Sequence, residues 1–182
     1  MNLPTTTRRA FIKTTGWAAV AYAAAGSSVL SATNRAKQTM RTIVSEGFGR
    51  IIILSFDRGE KLREGIREKL KELGVKNAVL VSAIGTFEKA RFHRIKTTNR
   101  RPEDEILEID GPMELAGVAG VVADGEPHFH MVFQDLNRAY AAHLEDGSVV
   151  CYLAEVVLAE LKGVSLTRIR NDNGIALLQQ TQ

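Results

Sequence analysis

Arg50-Ile-Ile-Ile-Leu-Ser-Phe56 leads directly into Asp57-Arg-Gly-Glu60 and an amphipathic segment that ends at Gly74. The first run is β-branched, which predicts a strand. Asp57 followed by an acid three residues later is typical of a helix start. Apolar side chains then recur at helical spacing, which gives the helix one buried face; they are Leu62, Ile66, Leu70 and Leu73. Gly74 is predicted to end this helix.

Short β-rich segments separated by turn signals occupy the rest of the chain. We predict turns at Gly85-Thr86, at Asp110-Gly111 and at residues 124–127, and fraying after Asn173. One helix among many strands with tight turns predicts an α+β fold with a mainly antiparallel sheet. The expected strands cover residues 78–84, 90–95, 105–109, 113–115, 117–123, 129–133, 149–158 and 163–169.

Composition limits the class of protein. The 182 residues are 45% hydrophobic and 25% charged, which excludes a disordered, collagen-like or disulfide-dense chain. The net charge of +3 arises within residues 1–32, and the other 21 basic residues are balanced by 21 acidic ones. A domain without net charge, as residues 33–182 are, is poorly suited to binding nucleic acid by counterion release. The only cysteine, Cys151, lies in an apolar strand and is predicted to be buried.

The N-terminus has the order of an export signal. Arg8 and Arg9 precede Phe11-Ile12-Lys13 and 21 uncharged residues, and this arrangement resembles a twin-arginine signal peptide. The resemblance implies export of a folded protein to the periplasm or the exterior. An uncleaved membrane anchor is the alternative, because the stretch approaches the roughly 20 residues that a spanning helix needs. We divide the chain into this signal (1–32), a polar linker (33–47), a domain (48–173) and a tail (174–182).

Candidate chemistry is concentrated in Pro127-His128-Phe129-His130-Met131-Val132-Phe133. Side chains alternate along a strand, so His128 and His130 share one face and the apolar residues between them face the core. Their rings could converge on one metal ion, and His143 is a plausible third ligand. Surface histidines without a metal give the same pattern, and this alternative stays open. His93, on a strand beside charged residues, is predicted to be exposed, and the alternative is that it faces the site.

Three segments, the first of which contains the His128–His130 pair, resemble the plant and prokaryote conserved domain family. They are Gly125-Glu-Pro-His128-Phe-His130, Ala142-His143-Leu-Glu-Asp-Gly147 and Ala154-Glu155-Val-Val157. The resemblance implies an α+β domain that assembles into homotrimers. It also implies a divalent-metal site at His128, His130 and His143, with zinc as the expected ion because imidazole suits it. Glu155 matches a recurring acid, which would support the ligands from outside or lie near a subunit boundary.

Two departures from the family pattern bear on function. Plant relatives bind DNA through an Arg-Gly-Arg hook, whereas Arg100-Arg101-Pro102 lacks that glycine and three acids follow it. Ala141-Ala142 replaces a frequent glycine pair before the third histidine.

The sequence therefore favours an exported metal protein, either an enzyme or a binder of a small-molecule ligand. An oligomeric interaction module without metal is the alternative, and a DNA-binding role is disfavoured. Catalysis would need a base and an oxyanion stabiliser, for which Glu155, Glu126 and Arg138 are the candidates.

Overall fold

The computed structural model describes residues 40–181, so the predicted export signal and residues 33–39 of the predicted linker lie outside the described residues. Eight strands and one helix make up this part of the chain. In chain order they are β1 (Gly47–Asp57), α1 (Leu62–Glu72), β2 (Ala78–Ile95), β3 (Asp104–Ala123), β4 (Glu126–Gln134), β5 (Ala139–Leu144), β6 (Val149–Lys162), β7 (Leu166–Arg170) and β8 (Ala176–Gln180). No helix between residues 40 and 181 has the length and apolar character needed to cross a bilayer.

Six strands form one sheet in the order β1-β6-β2-β3-β4-β5, and β7 and β8 form a separate hairpin. Every pairing is antiparallel. The predicted α+β fold with a mainly antiparallel sheet is therefore confirmed. β2 also pairs with β5, at Phe92 with Leu144 and at His93 with His143, so β2, β3, β4 and β5 form a closed ring of strands.

Two of the predicted turns are wrong, because β2 and β3 are long strands that continue through them. A Cβ atom at Gly85 would lie 2.6 Å from the Cα atom of Ala154, so this glycine permits β6 to approach closely instead of turning the chain. Gly111 and Pro112 sit at an irregularity between the pairs Phe87–Met113 and Lys89–Asp110. The glycine and the proline accommodate a bulge, and the strand then continues.

The helix begins later than its cap signal predicted. Lys61 is the N-cap and makes no side-chain cap hydrogen bond. Asp57 does not cap the helix; its backbone N–H donates instead to the Glu60 carboxylate at 2.6 Å. The predicted end at Gly74 is confirmed, since Gly74 adopts a φ of +68° directly after the C-cap residue. The apolar face packs into the core through Leu62, Ile66 and Leu70.

The hairpin between β3 and β4 was predicted correctly and fixes the face on which the histidines lie. Asp124 and Gly125 adopt φ values of +52° and +79°, as a tight two-residue hairpin turn requires. Along β4 the buried side chains alternate with accessible ones, and the buried set includes Phe129, Met131 and Phe133. The opposite face of β4 therefore carries His128 and His130. Burial of Cys151 is also confirmed.

The prediction of fraying after Asn173 is wrong, because β8 pairs with β7 along its full length. The Asn171 side chain orders the turn between them by accepting hydrogen bonds from the backbone N–H groups of residues 173 and 175. Leu166 and Leu178 belong to a second small apolar cluster, which also contains Val121 and Ala123. The hairpin is thereby attached to β3.

Candidate metal centre

Strand register places three histidines side by side across the sheet. His143 on β5 is paired directly with His130 on β4 and with His93 on β2. His128 lies two residues before His130 and therefore projects from the same face of β4. Three neighbouring strands thus bring four imidazoles together from segments that are far apart in the sequence.

His143 lies at the centre of this group. Its ring centroid is 4.4 Å from that of His93, 4.7 Å from that of His128 and 5.1 Å from that of His130. One ring nitrogen from each of His128, His130 and His143 falls within 4.8 Å of the others. Any two nitrogen ligands of a tetrahedral zinc ion are about 3.3 Å apart, because each lies about 2.0–2.1 Å from the metal. Small side-chain rotations would therefore bring the three rings to ligand distance.

Burial keeps the central imidazoles in the neutral form that binds metals. Desolvation lowers the pKa of His143 to about 3, and the neighbouring histidines add to this effect. Desolvation followed by the positive charge of Arg168 lowers the pKa of His128 to about 4. Both rings are neutral near pH 7, so a cation meets free nitrogen lone pairs without having to displace a proton.

His93 lies beside the cluster, so the prediction that it is merely exposed is wrong, and the alternative that it faces the site fits the structure. Its ring stacks on His143, and its Nδ1 lies 2.5 Å from a carboxylate oxygen of Glu145. His93, His143 and Glu145 form a second group of potential ligand atoms within 4.8 Å of one another. A carboxylate that holds one ring nitrogen of a histidine fixes the orientation of that ring, an arrangement common for histidines at metal sites.

Helix α1 supplies a network of ion pairs behind the cluster. Arg63 contacts Glu145 at 3.3 Å, Asp146 at 3.0 Å and Glu126 at 2.7 Å. Arg67 binds the same Glu126 and Asp146 carboxylates. Burial alone would raise the pKa of Asp146, but the hydrogen bonds and charges of the two arginines outweigh it and lower that pKa. The network links the helix to Glu145 and hence to His93.

The other residues proposed for chemistry do not join the histidines. Both carboxylate oxygens of Glu126 are engaged by Arg63 and Arg67. Arg138 is exposed at the turn between β4 and β5. Glu155 is paired with Ile84, nine residues along β2 from His93, so it does not support the ligands within one chain. The structure brings His128, His130 and His143 together and adds His93 to them. None of the three residues proposed as the base or the oxyanion stabiliser lies in this cluster.

Comparison with known proteins identifies the family. Residues 43–162 match the model of the Plants and Prokaryotes Conserved (PCC) domain. The chain belongs to this family. No curated protein matches the chain significantly. The PCC match contains all four histidines and ends before the β7–β8 hairpin.

Solved structures similar to this PCC protein come from several organisms. A metal-containing protein of Archaeoglobus fulgidus is 27% identical with a TM-score of 0.67, and the match covers 77% of this chain and 99% of that one. A plant- and prokaryote-conserved protein of Pyrococcus horikoshii is 26% identical with a TM-score of 0.65, covering 79% and 99%. A hypothetical Salmonella protein, 15% identical with a TM-score of 0.64 and coverages of 76% and 98%, shares the fold.

Proposed function

We propose that this PCC-domain protein binds one divalent metal ion through His128, His130 and His143, and that the ion is zinc. The observation that carries the proposal is the convergence of three ring nitrogens within 4.8 Å. The metal-containing nature of the Archaeoglobus protein supports it. A zinc ion held by His128, His130 and His143 would keep a coordination position for water or a ligand and would supply Lewis-acid chemistry there.

The chemistry of the donor set fits zinc. Neutral imidazole is a preferred zinc ligand, and the cluster offers three of them without a thiolate. His143 is buried, whereas the rings of His128 and His130 reach solvent, so an ion has a route to the site. Phe129 and Met131 anchor β4 in the core on both sides of His130 and hold its backbone in place. The site is therefore built on a rigid strand pair and opens on one side.

Metal analysis of the purified chain without a polyhistidine tag tests this function. We expect about one equivalent of zinc per chain in the wild type, and a loss of at least about tenfold in bound metal when His128 and His130 are both replaced by alanine. Gln134→Ala is the matched control, because Gln134 lies on the same face of β4 and is exposed. A wild type that retains no stoichiometric divalent metal, or a double variant that retains it fully, contradicts the proposal.

We also propose that the protein is exported through its twin-arginine-type signal and assembles as a homotrimer. Assembly is supported by exposed apolar side chains on the outer face of the neighbouring strands β1, β6 and β2, a surface that a monomer would leave in water; they are Ile51, Ile53, Ile84 and Leu153. Glu155 lies among them, paired with Ser55 and Ile84. In a trimer this face is the one we expect to be covered.

Protein recovered from the periplasm or the medium reports on both proposals. Trp17 is the only tryptophan and lies within the signal, so the cleaved protein should show no indole fluorescence. Light scattering of the same material should give the mass of three copies. Strong indole emission from the recovered protein would indicate a retained leader, and a monomeric mass would contradict the trimer.

A further inference from the structure

The C-terminal β7–β8 hairpin packs next to the proposed metal site. Val121 on β3 is paired directly with His128 and therefore shares its face of the sheet. The β7–β8 hairpin packs on this position through the apolar cluster that contains Val121, Leu166 and Leu178. The hairpin thus covers the outer face immediately next to the histidines.

Arg168 is the residue that the hairpin directs toward this face. Side chains alternate along β7, so Arg168 shares the side of Leu166, which is buried against β3. One terminal nitrogen of Arg168, Nη2, donates to the backbone carbonyl of Val121 at 3.3 Å. The guanidinium is therefore anchored on the residue opposite His128.

The charge of Arg168 has no carboxylate partner among residues 40–181. Its other terminal nitrogen, Nη1, is buried without any hydrogen-bond partner there. The negative charge of Glu126 acts on Arg168, but both oxygens of this carboxylate accept hydrogen bonds from Arg63 and Arg67. A buried guanidinium nitrogen without a hydrogen-bond acceptor is costly, and a bound anion that accepts from it would remove this cost.

Space for a ligand lies next to His130, on the side away from His128 and Arg168. A groove of about 410 Å³ runs beside this residue and is floored mainly by small or apolar residues, including Gly117, Ala119, Val132 and Ala141. A Cβ atom at Gly117 would meet nothing within 4 Å. Of the three proposed ligands only His130 lines this groove, and Arg168 lies at the opposite end of the cluster, beside His128.

We infer that the site takes a small ligand bearing an oxyanion, which would bind the metal at its open position and be stabilised by Arg168. This inference rests on the proposed metal site and adds the chemical class of its ligand. A metal ion at the histidines and the guanidinium beside His128 would both favour a carboxylate or a tetrahedral oxyanion over a neutral or cationic group. The small-residue groove leaves room for the remainder of such a molecule.

Titration of the Co²⁺-loaded full chain with acetate and with sulfate tests the inference. Cobalt reports anion binding at the metal through its visible absorption, and perchlorate keeps the ionic strength constant. We expect Arg168→Gln to weaken binding of both anions by about 10–100-fold, since hydrogen bonds to charged groups are strong. Arg170→Gln is the matched control: it lies two residues along the same strand and is exposed. Arg168→Lys should restore part of the affinity.

The metal content of each variant separates this inference from the proposed function. If Arg168→Gln takes up cobalt normally and binds both anions as tightly as the wild type and Arg170→Gln, the ligand class is wrong and the metal site stands. If the wild type takes up no cobalt or zinc, both the metal site and the ligand inference fall. If Arg168→Gln loses metal and anions together with a lowered thermal midpoint, Arg168 has only a structural role.

Discussion

Replacing His143 by alanine should abolish stoichiometric zinc binding, and replacing His93 by alanine should weaken zinc binding by about 10–100-fold. His143 is the central ring and a proposed direct ligand, so its loss removes one of three protein donors. His93 stacks on the His143 ring, and Glu145 fixes the orientation of His93 in turn, so we expect His93 to hold the central ligand in place. Loss of such an outer partner typically costs 10–100-fold in metal affinity.

Competition with a chromophoric chelator measures these affinities, and thermal unfolding provides a second readout. Zinc at 100 times its dissociation constant should stabilise the wild type by about 2.7 kcal/mol, because it binds the folded chain alone. The stabilisation should vanish in His143→Ala and persist in His93→Ala at proportionally higher zinc. Gln134→Ala should behave as the wild type. Equal affinity in His143→Ala and the wild type would contradict the site, and a total loss in His93→Ala would make His93 a ligand.

Alternation along a single strand was enough to predict how β4 presents its side chains. The pattern of residues 127–133 gave the face of His128 and His130 and the burial of Phe129, because a period of two is a local property. His143 was a candidate third ligand from the sequence, and the family resemblance added to this, but its place in the cluster depends on the pairing of β5 with β4. Local patterns thus predicted half of the cluster.

The sequence could not decide whether His93 faces the site, because its neighbourhood depends on a pairing between strands that lie 50 residues apart in the sequence. The pairing of His93 with His143 is part of the short contact between β2 and β5 that closes the ring of strands. The two wrong turns share this origin. Gly85 and Gly111 have the residue type of turns, but the long-range packing of β6 and β3 uses them for close approach and for a bulge.

Gly120→Ala should destabilise the domain by about 2–6 kcal/mol and weaken metal binding. Gly120 is paired with Phe129 and has a φ of +150°, which L side chains rarely adopt. An added Cβ atom would overlap the carbonyl oxygen of His128 and come within 2.8 Å of the Phe129 ring. Backbone strain and overpacking each cost about 1–3 kcal/mol. Denaturant unfolding of the metal-free protein measures the change in the free energy of unfolding.

Gly117→Ala provides the matched comparison, since it lies three residues earlier on β3 and a Cβ atom there meets nothing within 4 Å. Its effect on stability should stay within about 0.5 kcal/mol, as for other substitutions away from packed positions. The overlap at Gly120 acts on the backbone of His128 itself, so zinc affinity should fall in Gly120→Ala and remain unchanged in Gly117→Ala. Equal stabilities of the two variants would mean that β3 and β4 are not in the register that brings His128 and His130 to His143.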